Sequence, residues 1–270
     1  ISLGLVGSEM CIRDSTYIIC GKLYNGIDAE FKEGYKILVK DNKIEAVGRE
    51  IPQPETAEVV DLSDATVTPG MIDAHMHMDY IDWHTIREEV YTTSEEAKTI
   101  AIIRTAQKTL SRGFTTVRHP GGITSNGFGV LDVKRAIEKG YITGSRIVAA
   151  PRFLCAAGSH GDLSQGFARN PELSNIVQNL RLSLGAGKDF FVNAVREEIK
   201  YGADFIKIMA TGGFFTPYDN PSQQQMNDEE LKAIMDTAHE WGKTVTAHVY
   251  SVDHMQNCLL YTSDAADDRI

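Results

Sequence analysis

From Thr66 onward the chain alternates short β-type runs with helical ones, and this alternation restricts the fold more than any other feature. Residues 114–118, 146–150, 204–209 and 244–249 are apolar or β-branched runs of strand length. Between them lie helical patterns with clear ends. Ser94-Glu95-Glu96 supplies an N-cap and first-turn acids, Ile102, Ile103, Ala106 and Leu110 form an apolar stripe, and Gly113 is the stop. Residues 130–139 before Gly140, 191–201 before Gly202, and 228–241 between Asn227 and Gly242 read the same way. Strands joined by helical crossovers pair in parallel. With 66–79 as the first strand there are five such units, and no glycine-rich dinucleotide fingerprint follows it. The expected fold class is α/β, a (β/α)8 TIM-type barrel cut off after about five strands, with an open doubly wound sheet as the alternative. Residues 153–187 read as a long loop bearing Gly and Ser.

Residues 16–65 have a different texture. Runs at 17–20, 35–39, 43–47 and 57–62 are strand-like, and Asp41-Asn42 is a hairpin turn signal. They predict a small antiparallel sheet, part of an N-terminal β-sandwich over 16–65, ahead of a partial barrel over 66–257. The flanks are expected to be foreign to the fold. A coding sequence for residues 258–263 can be written as the reverse complement of one for part of 5–15, read in another frame. Residues 1–15 and 258–270 therefore read as translated sequencing-adapter sequence, and fold reasoning sets them aside.

The net charge of −10 and the absence of Lys/Arg blocks argue against a nucleic-acid partner. No apolar run approaches a membrane span. Outside the flanks only Cys20 and Cys155 remain, so no disulfide framework is implied. With the start of the chain set aside, a signal peptide is neither visible nor ruled out, and cytoplasmic location is only the default.

The chemistry begins at His75 and His77 in TVTPGMIDAHMHMD, 66–79. Residues two apart on a strand share a face, so an extended segment presents both imidazoles from one strand end as a metal ion requires. Lys207 stands in the apolar strand Phe205-Ile206-Lys207-Ile208-Met209, where an unpaired ammonium is costly to bury. Either it finds an acid or solvent, or it is carboxylated to an anionic carbamate. His248 ends the fifth strand. In a barrel, strand C-termini build the active site.

These residues lie in motifs that together resemble the metal-dependent amidohydrolase superfamily. They are TVTPGMIDAHMHMD at 66–79, GFTTVRHPGG at 113–122, GSHGD at 158–162, GADFIKIMATGG at 202–213 and AHEWGKTVTAHVYS at 238–251. The branch resembled is that of imidazolonepropionase and of Xaa-Pro or Xaa-Arg dipeptidases. The resemblance implies two divalent ions, zinc by expectation, held by His75, His77, His248 and a CO2-derived carbamate on Lys207 that bridges them. It implies hydrolysis of an amide or dipeptide C–N bond by metal-activated hydroxide. A sixth-strand histidine and an eighth-strand aspartate, the proton shuttle, are expected beyond residue 257, so no catalytic acid–base residue is assigned within the chain.

Four further residues are substrate-contact candidates: His119, where the family pattern has an acid, His160 in the loop after the third strand, Tyr250 and Arg152. A structural ion pair is the alternative for Arg152, and a loop position for both His119 and His160. Residues 216–225 are expected to cover the site. His84, His239 and His254 read as bystanders. Two other readings stay open. An unclosed barrel with edge strands is a non-catalytic fragment open to oligomerisation, and a mononuclear deaminase or lyase would not need Lys207.

Overall fold

The computed structural model describes residues 15–80, 92–122, 128–179, 183–214, 216 and 219–261. His84, residues 217 and 218 of the expected cover, and flank residues 1–14 and 262–270 lie outside the described residues. The chain divides into two compact units, Ile1–Met71 and Ile72–Ile270.

The first unit is a sheet built around β1 (Ser15–Leu23). Strands β2 (Lys32–Glu33) and β3 (Lys36–Lys40) run antiparallel to β1, and β4 (Lys43–Gly48) runs antiparallel to β3. The turn between β3 and β4 holds Asp41 and Asn42 at φ of 48° and 61°, the two left-handed residues that a type I′ hairpin needs. β5 (Glu58–Val67) pairs with β1 in parallel, from Thr16 opposite Glu58 to Leu23 opposite Val67. This corrects the purely antiparallel expectation. Residues 49–57 carry the chain back past the start of β1, so β5 leaves in the same direction. Cys20, Leu23 and Ile37 form the small core.

The second unit is the expected alternation. It comprises β6 (Met71–Asp73), α1 (Glu95–Ser111), β7 (Phe114–Gly122), α2 (Phe128–Glu138), β8 (Arg146–Ala156), α3 (Pro171–Asn179), β9 (Leu184–Gly185), α4 (Lys188–Tyr201), β10 (Ile206–Met209), α5 (Asp228–Glu240), β11 (Val245–His248) and α6 (Val252–Tyr261). A 3-10 turn at Leu163–Phe167 precedes α3. The strands stand side by side as β6, β7, β8, β10, β11, with short β9 on β8. The β7–β8, β8–β10 and β10–β11 pairs are parallel. This is a half-barrel of five strands in chain order.

Helix ends follow the sequence signals. Ser94 Oγ accepts the Ala97 N–H at 3.2 Å. Asn227 and Glu230 form a reciprocal capping box, each side chain accepting the other's backbone N–H at 2.9 Å, which contributes about 1 kcal/mol. Two expectations fail. Residues 153–156 continue β8 rather than opening a loop, because Phe153, Leu154, Cys155 and Ala156 are all buried, as a parallel strand covered on both faces requires. The histidine-bearing segment is not one buried strand: Val67 belongs to β5, Pro69-Gly70 breaks the run, and Met71 and Ile72 are exposed. The last helix, α6, spans Val252–Tyr261.

The strand faces fix where chemistry can sit. Ile206 and Ile208 pack outward with Phe191, Val195, Leu231 and Ile234 of α4 and α5, and Val245 and Ala247 join that layer. Val117 and Ile147 pack outward with Ile102, Ala106 and Val130 of α1 and α2. Strand alternation then turns Arg118, Lys207, Met209, Thr246 and His248 to the inner face. Phe153, the register partner of Lys207, packs there with Cys155, Leu184 and Met209.

Candidate functional site

The inner face ends in two imidazole clusters with Lys207 between them. The first follows β6. The His75 N–H donates to Asp73 Oδ1 at 3.0 Å, and the Met76 N–H to the Arg118 carbonyl at 2.9 Å, so the chain turns at the strand end. The His75 and His77 rings lie 5.3 Å apart, edge to face. His77 Nδ1 is 2.7 Å from the Gly121 carbonyl. That contact places the proton on Nδ1 and leaves Nε2 with its lone pair, the arrangement of a ligating histidine. Tyr80 stacks on the His77 ring at 4.7 Å. Burial pushes His77 down to about 4, against the opposing pull of its bond to Gly121. His75 is lowered too, by partial desolvation first and then by Lys207 and Arg118.

His119 was expected beside the substrate. The structure places it with Val117 on the other side of β7, 1% exposed, where Nδ1 accepts the Met78 N–H at 3.1 Å. Its ring lies 6.1 Å from that of His77. Burial holds His119 at about 4, so it stays neutral and fastens the 75–78 segment from behind. Beside it, Gly122 is required by packing, because a Cβ there would lie 2.1 Å from Asp79 Oδ2.

The second cluster follows β8, β10 and β11. His160 stacks on His248 with centroids 4.4 Å apart, and Tyr250 meets His248 edge to face at 5.0 Å. His160 Nδ1 is 2.6 Å from Asp219 Oδ2, which also accepts the Gly213 N–H at 2.7 Å. Gln225 ties the same loop down: Oε1 accepts the His160 N–H at 2.7 Å, and Nε2 donates to Asp219 Oδ1 at 2.5 Å. The expected cover is thus pinned onto His160 by Asp219 and Gln225. Tyr250 is half exposed, and its N–H donates to Thr211 Oγ1 at 3.1 Å. Burial, followed by His160 and Lys207, holds His248 at about 4.

Lys207 is 2% exposed and its ammonium depresses both His75 and His248, so it lies within electrostatic reach of both clusters. Burial, with Arg118 adding to it, brings Lys207 down to about 8. Arg152, expected to meet a substrate carboxylate, is placed against α4 instead. Its Nε lies 2.5 Å from Glu198 Oε1 and a terminal nitrogen 3.3 Å from Glu197, with Arg152 and Glu198 both buried. It shares the outward parity of Leu154 on β8. His239 is exposed at the end of α5, and His254 bonds Ser251 on α6.

Sequence reasoning passed over Asp219, Gln225, Tyr80 and Arg118. A signal for Arg118 existed: with Val117 in the helix-facing core, the neighbouring residue turns inward. Asp219 and Gln225 carried no comparable signal, since their partner stands about sixty residues earlier in the chain.

Among the described residues no three His, Cys, Asp or Glu side chains are placed to hold a metal ion. The donors fit a divalent ion once Lys207 is counted as an anionic ligand: three imidazoles held neutral, one with its outer nitrogen freed by a backbone carbonyl, flank a buried lysine.

A five-stranded half-barrel with histidines and a buried lysine at its inner strand ends defines an amidohydrolase-type site. The amidohydrolase family model matches residues 66–270, and the chain belongs to that family. It is similar to ochratoxinase of Aspergillus niger, with 30% identity over 250 residues covering 87% of this chain and 50% of the relative. Among solved structures it is similar to a Xaa-Pro dipeptidase with bound methionine in the active site. The identity is 28% and the TM-score 0.79, over 92% of this chain and 59% of that one. It is also similar to a prolidase complexed with N-methylphosphonate-L-proline, at 26% identity and a TM-score of 0.76, over 92% and 59%. The chain spans about half the length of the curated relatives it matches.

Proposed function

We propose that the chain carries the first half of a metal-dependent hydrolase of C–N bonds in small amides or dipeptides, with His75, His77, His248 and a carboxylated Lys207 as ligands of two divalent ions, zinc by preference. The observation that carries the reading is Lys207 itself, buried on the inner face between the two imidazole clusters with no ion-pair partner among the described residues. The names of the similar proteins, ochratoxinase and Xaa-Pro dipeptidase, support an amide or dipeptide substrate.

When bound, the two ions supply a hydroxide at neutral pH and polarise the substrate carbonyl. The chain's own residues prepare that chemistry. Gly121 fixes the His77 tautomer, His119 and Asp73 hold the backbone that aims His75 and His77, and Gly212 contacts His248 Nε2 at 3.3 Å. His160, oriented by Asp219, and Tyr250 border the His248 end, which supports reading them as substrate contacts. His119 and Arg152 are set aside from that role. A mononuclear deaminase on the same barrel is the competing reading. Metal analysis of a version extended to the length of the relatives separates them. The binuclear reading expects about two ions per chain, with one lost on Lys207→Ala. One ion, indifferent to that substitution, would remove it.

A further inference from the structure

We propose that Arg118 is the counter-charge that holds Lys207 in its carboxylated form. The inference rests on the reading of Lys207 given above and adds a positioning residue to it. Arg118 leaves β7 on the inner face, opposite the outward-packed Val117. Its guanidinium carbon lies 3.8 Å from the centroid of the Phe205 ring, and a terminal nitrogen donates to Thr246 Oγ1. Both contacts are neighbours of Lys207. Phe205 precedes it by two residues, and Thr246 is its register partner on β11. The Arg118 side chain therefore reaches across the inner face to two neighbours of Lys207, held by a ring and a hydroxyl.

Among the described residues neither Arg118 nor Lys207 has a carboxylate within ion-pair distance. Two cations tied to one inner layer, with no anion among the described residues, are an arrangement that an anion formed at Lys207 would relieve. Carboxylation does that. The neutral ε-amine of Lys207 attacks the carbon of dissolved carbon dioxide and an N–C bond forms. One C=O electron pair moves onto oxygen, and the nitrogen's extra proton leaves to solvent. A cation becomes an anionic carbamate, and the pair of like charges becomes a salt bridge. The planar guanidinium fork matches two carbamate oxygens as it matches a carboxylate. Because Arg118 belongs to the chain, the carbamate is stabilised before any metal ion arrives.

The test uses the 270-residue chain, stripped with EDTA and equilibrated with 13C-bicarbonate, with the carbamate carbon followed by 13C NMR and Lys207→Ala as the blank. Wild type is expected to give a Lys207-dependent resonance that saturates with bicarbonate. Arg118→Gln and Arg118→Met, once shown folded by circular dichroism, should need about tenfold more bicarbonate, as fits the loss of a charge-assisted pair. Arg118→Lys, which keeps the charge but loses the fork, should need less bicarbonate than the uncharged variants and more than wild type. Thr246→Val, which unties the guanidinium without removing its charge, should fall between. It carries the test if the uncharged variants do not fold, and wild-type occupancy in it would then overturn the proposal. Folded Arg118→Gln with wild-type bicarbonate dependence overturns the proposal and leaves Lys207 carboxylation standing, as does a wild-type resonance that forms only after zinc is added. A wild type with no Lys207-dependent resonance, with or without zinc, removes the carboxylation reading and this proposal with it.

Discussion

Replacing His119 by Asn in the metal-free chain should flatten the acid dependence of stability while leaving the neutral-pH fold largely intact. His119 is 1% exposed and held at about 4, against about 6.5 for a histidine in an unfolded chain. Between those values the unfolded state carries the proton and the native state does not. Stability is therefore full above pH ~6.5 and falls as the pH drops toward ~4. One such group contributes a slope of about 1.4 kcal/mol per pH unit, and about 3 kcal/mol over the window. His77 and His248 are depressed in the same direction, so the wild-type slope should exceed that of a single group. Asn keeps an acceptor for the Met78 N–H, which His119 Nδ1 now receives at 3.1 Å, but carries no proton across this range. The cost at pH 7 should be about 1 kcal/mol from lost packing and imperfect geometry. His119→Leu leaves the Met78 N–H unpaired and should cost about 1–3 kcal/mol more. Urea unfolding in EDTA at pH 7, 6 and 5, with m unchanged, measures all three proteins. An Asn variant whose midpoint shifts with pH as steeply as wild type would refute the assignment of His119 as a buried neutral imidazole.

Three further outcomes follow from the same geometry. Lys207→Met should stabilise the metal-free, bicarbonate-free chain at pH 7 by up to about 3 kcal/mol, because the native ammonium is depressed to about 8 from about 10.5; that contribution fades as the pH rises through 8 toward 10.5, and urea titration at pH 7 and 10 reads it. Glu198→Ala removes the buried partner of Arg152, leaving only the partly exposed Glu197, and should cost about 3 kcal/mol by chemical denaturation, whereas a loss under 1 kcal/mol would mean the pair is better hydrated than its burial implies. Gly213→Ala places a Cβ 2.3 Å from His160 Cε1, so it should displace His160 from His248 and from Asp219; unchanged imidazole chemical shifts in the variant would show that the loop yields without moving the ring.

The half-barrel was legible because its signals are local. Ser94, Gly113, Gly140, Gly202, Asn227 and Gly242 all punctuate helices where their chemistry predicts. The Asp41-Asn42 turn was legible for the same reason. What failed depends on partners distant in sequence. β5 was read as one more antiparallel strand because nothing inside 57–67 says which edge of β1 it will meet. The end of β8 was read as loop because buried runs covered on both faces lack the alternation that marks a strand. The pinning of Asp219 onto His160 joins two loops that only the fold brings together.

The exchange between Arg118 and His119 shows how much one residue of parity decides. Both belong to the same strand-end motif, and a histidine at a strand end invites a ligand or substrate role. Yet Val117 is fully buried among Ile102, Ala106 and Val130, which commits the odd-numbered residues of β7 to the helix side. His119 shares that side and becomes a bracket for the Met76–Met78 backbone, a role its neutral Nδ1 acceptor performs. Arg118 takes the inner side, where it lies over the Phe205 ring and donates to Thr246. The same parity turns Lys207 inward from Ile206 and Ile208, and Thr246 inward from Val245 and Ala247. Three strands thus deliver a fixed cation, a convertible amine and a tethering hydroxyl to one patch. A carbamate formed on Lys207, as proposed, would put an anion in the patch to which parity already directs Arg118.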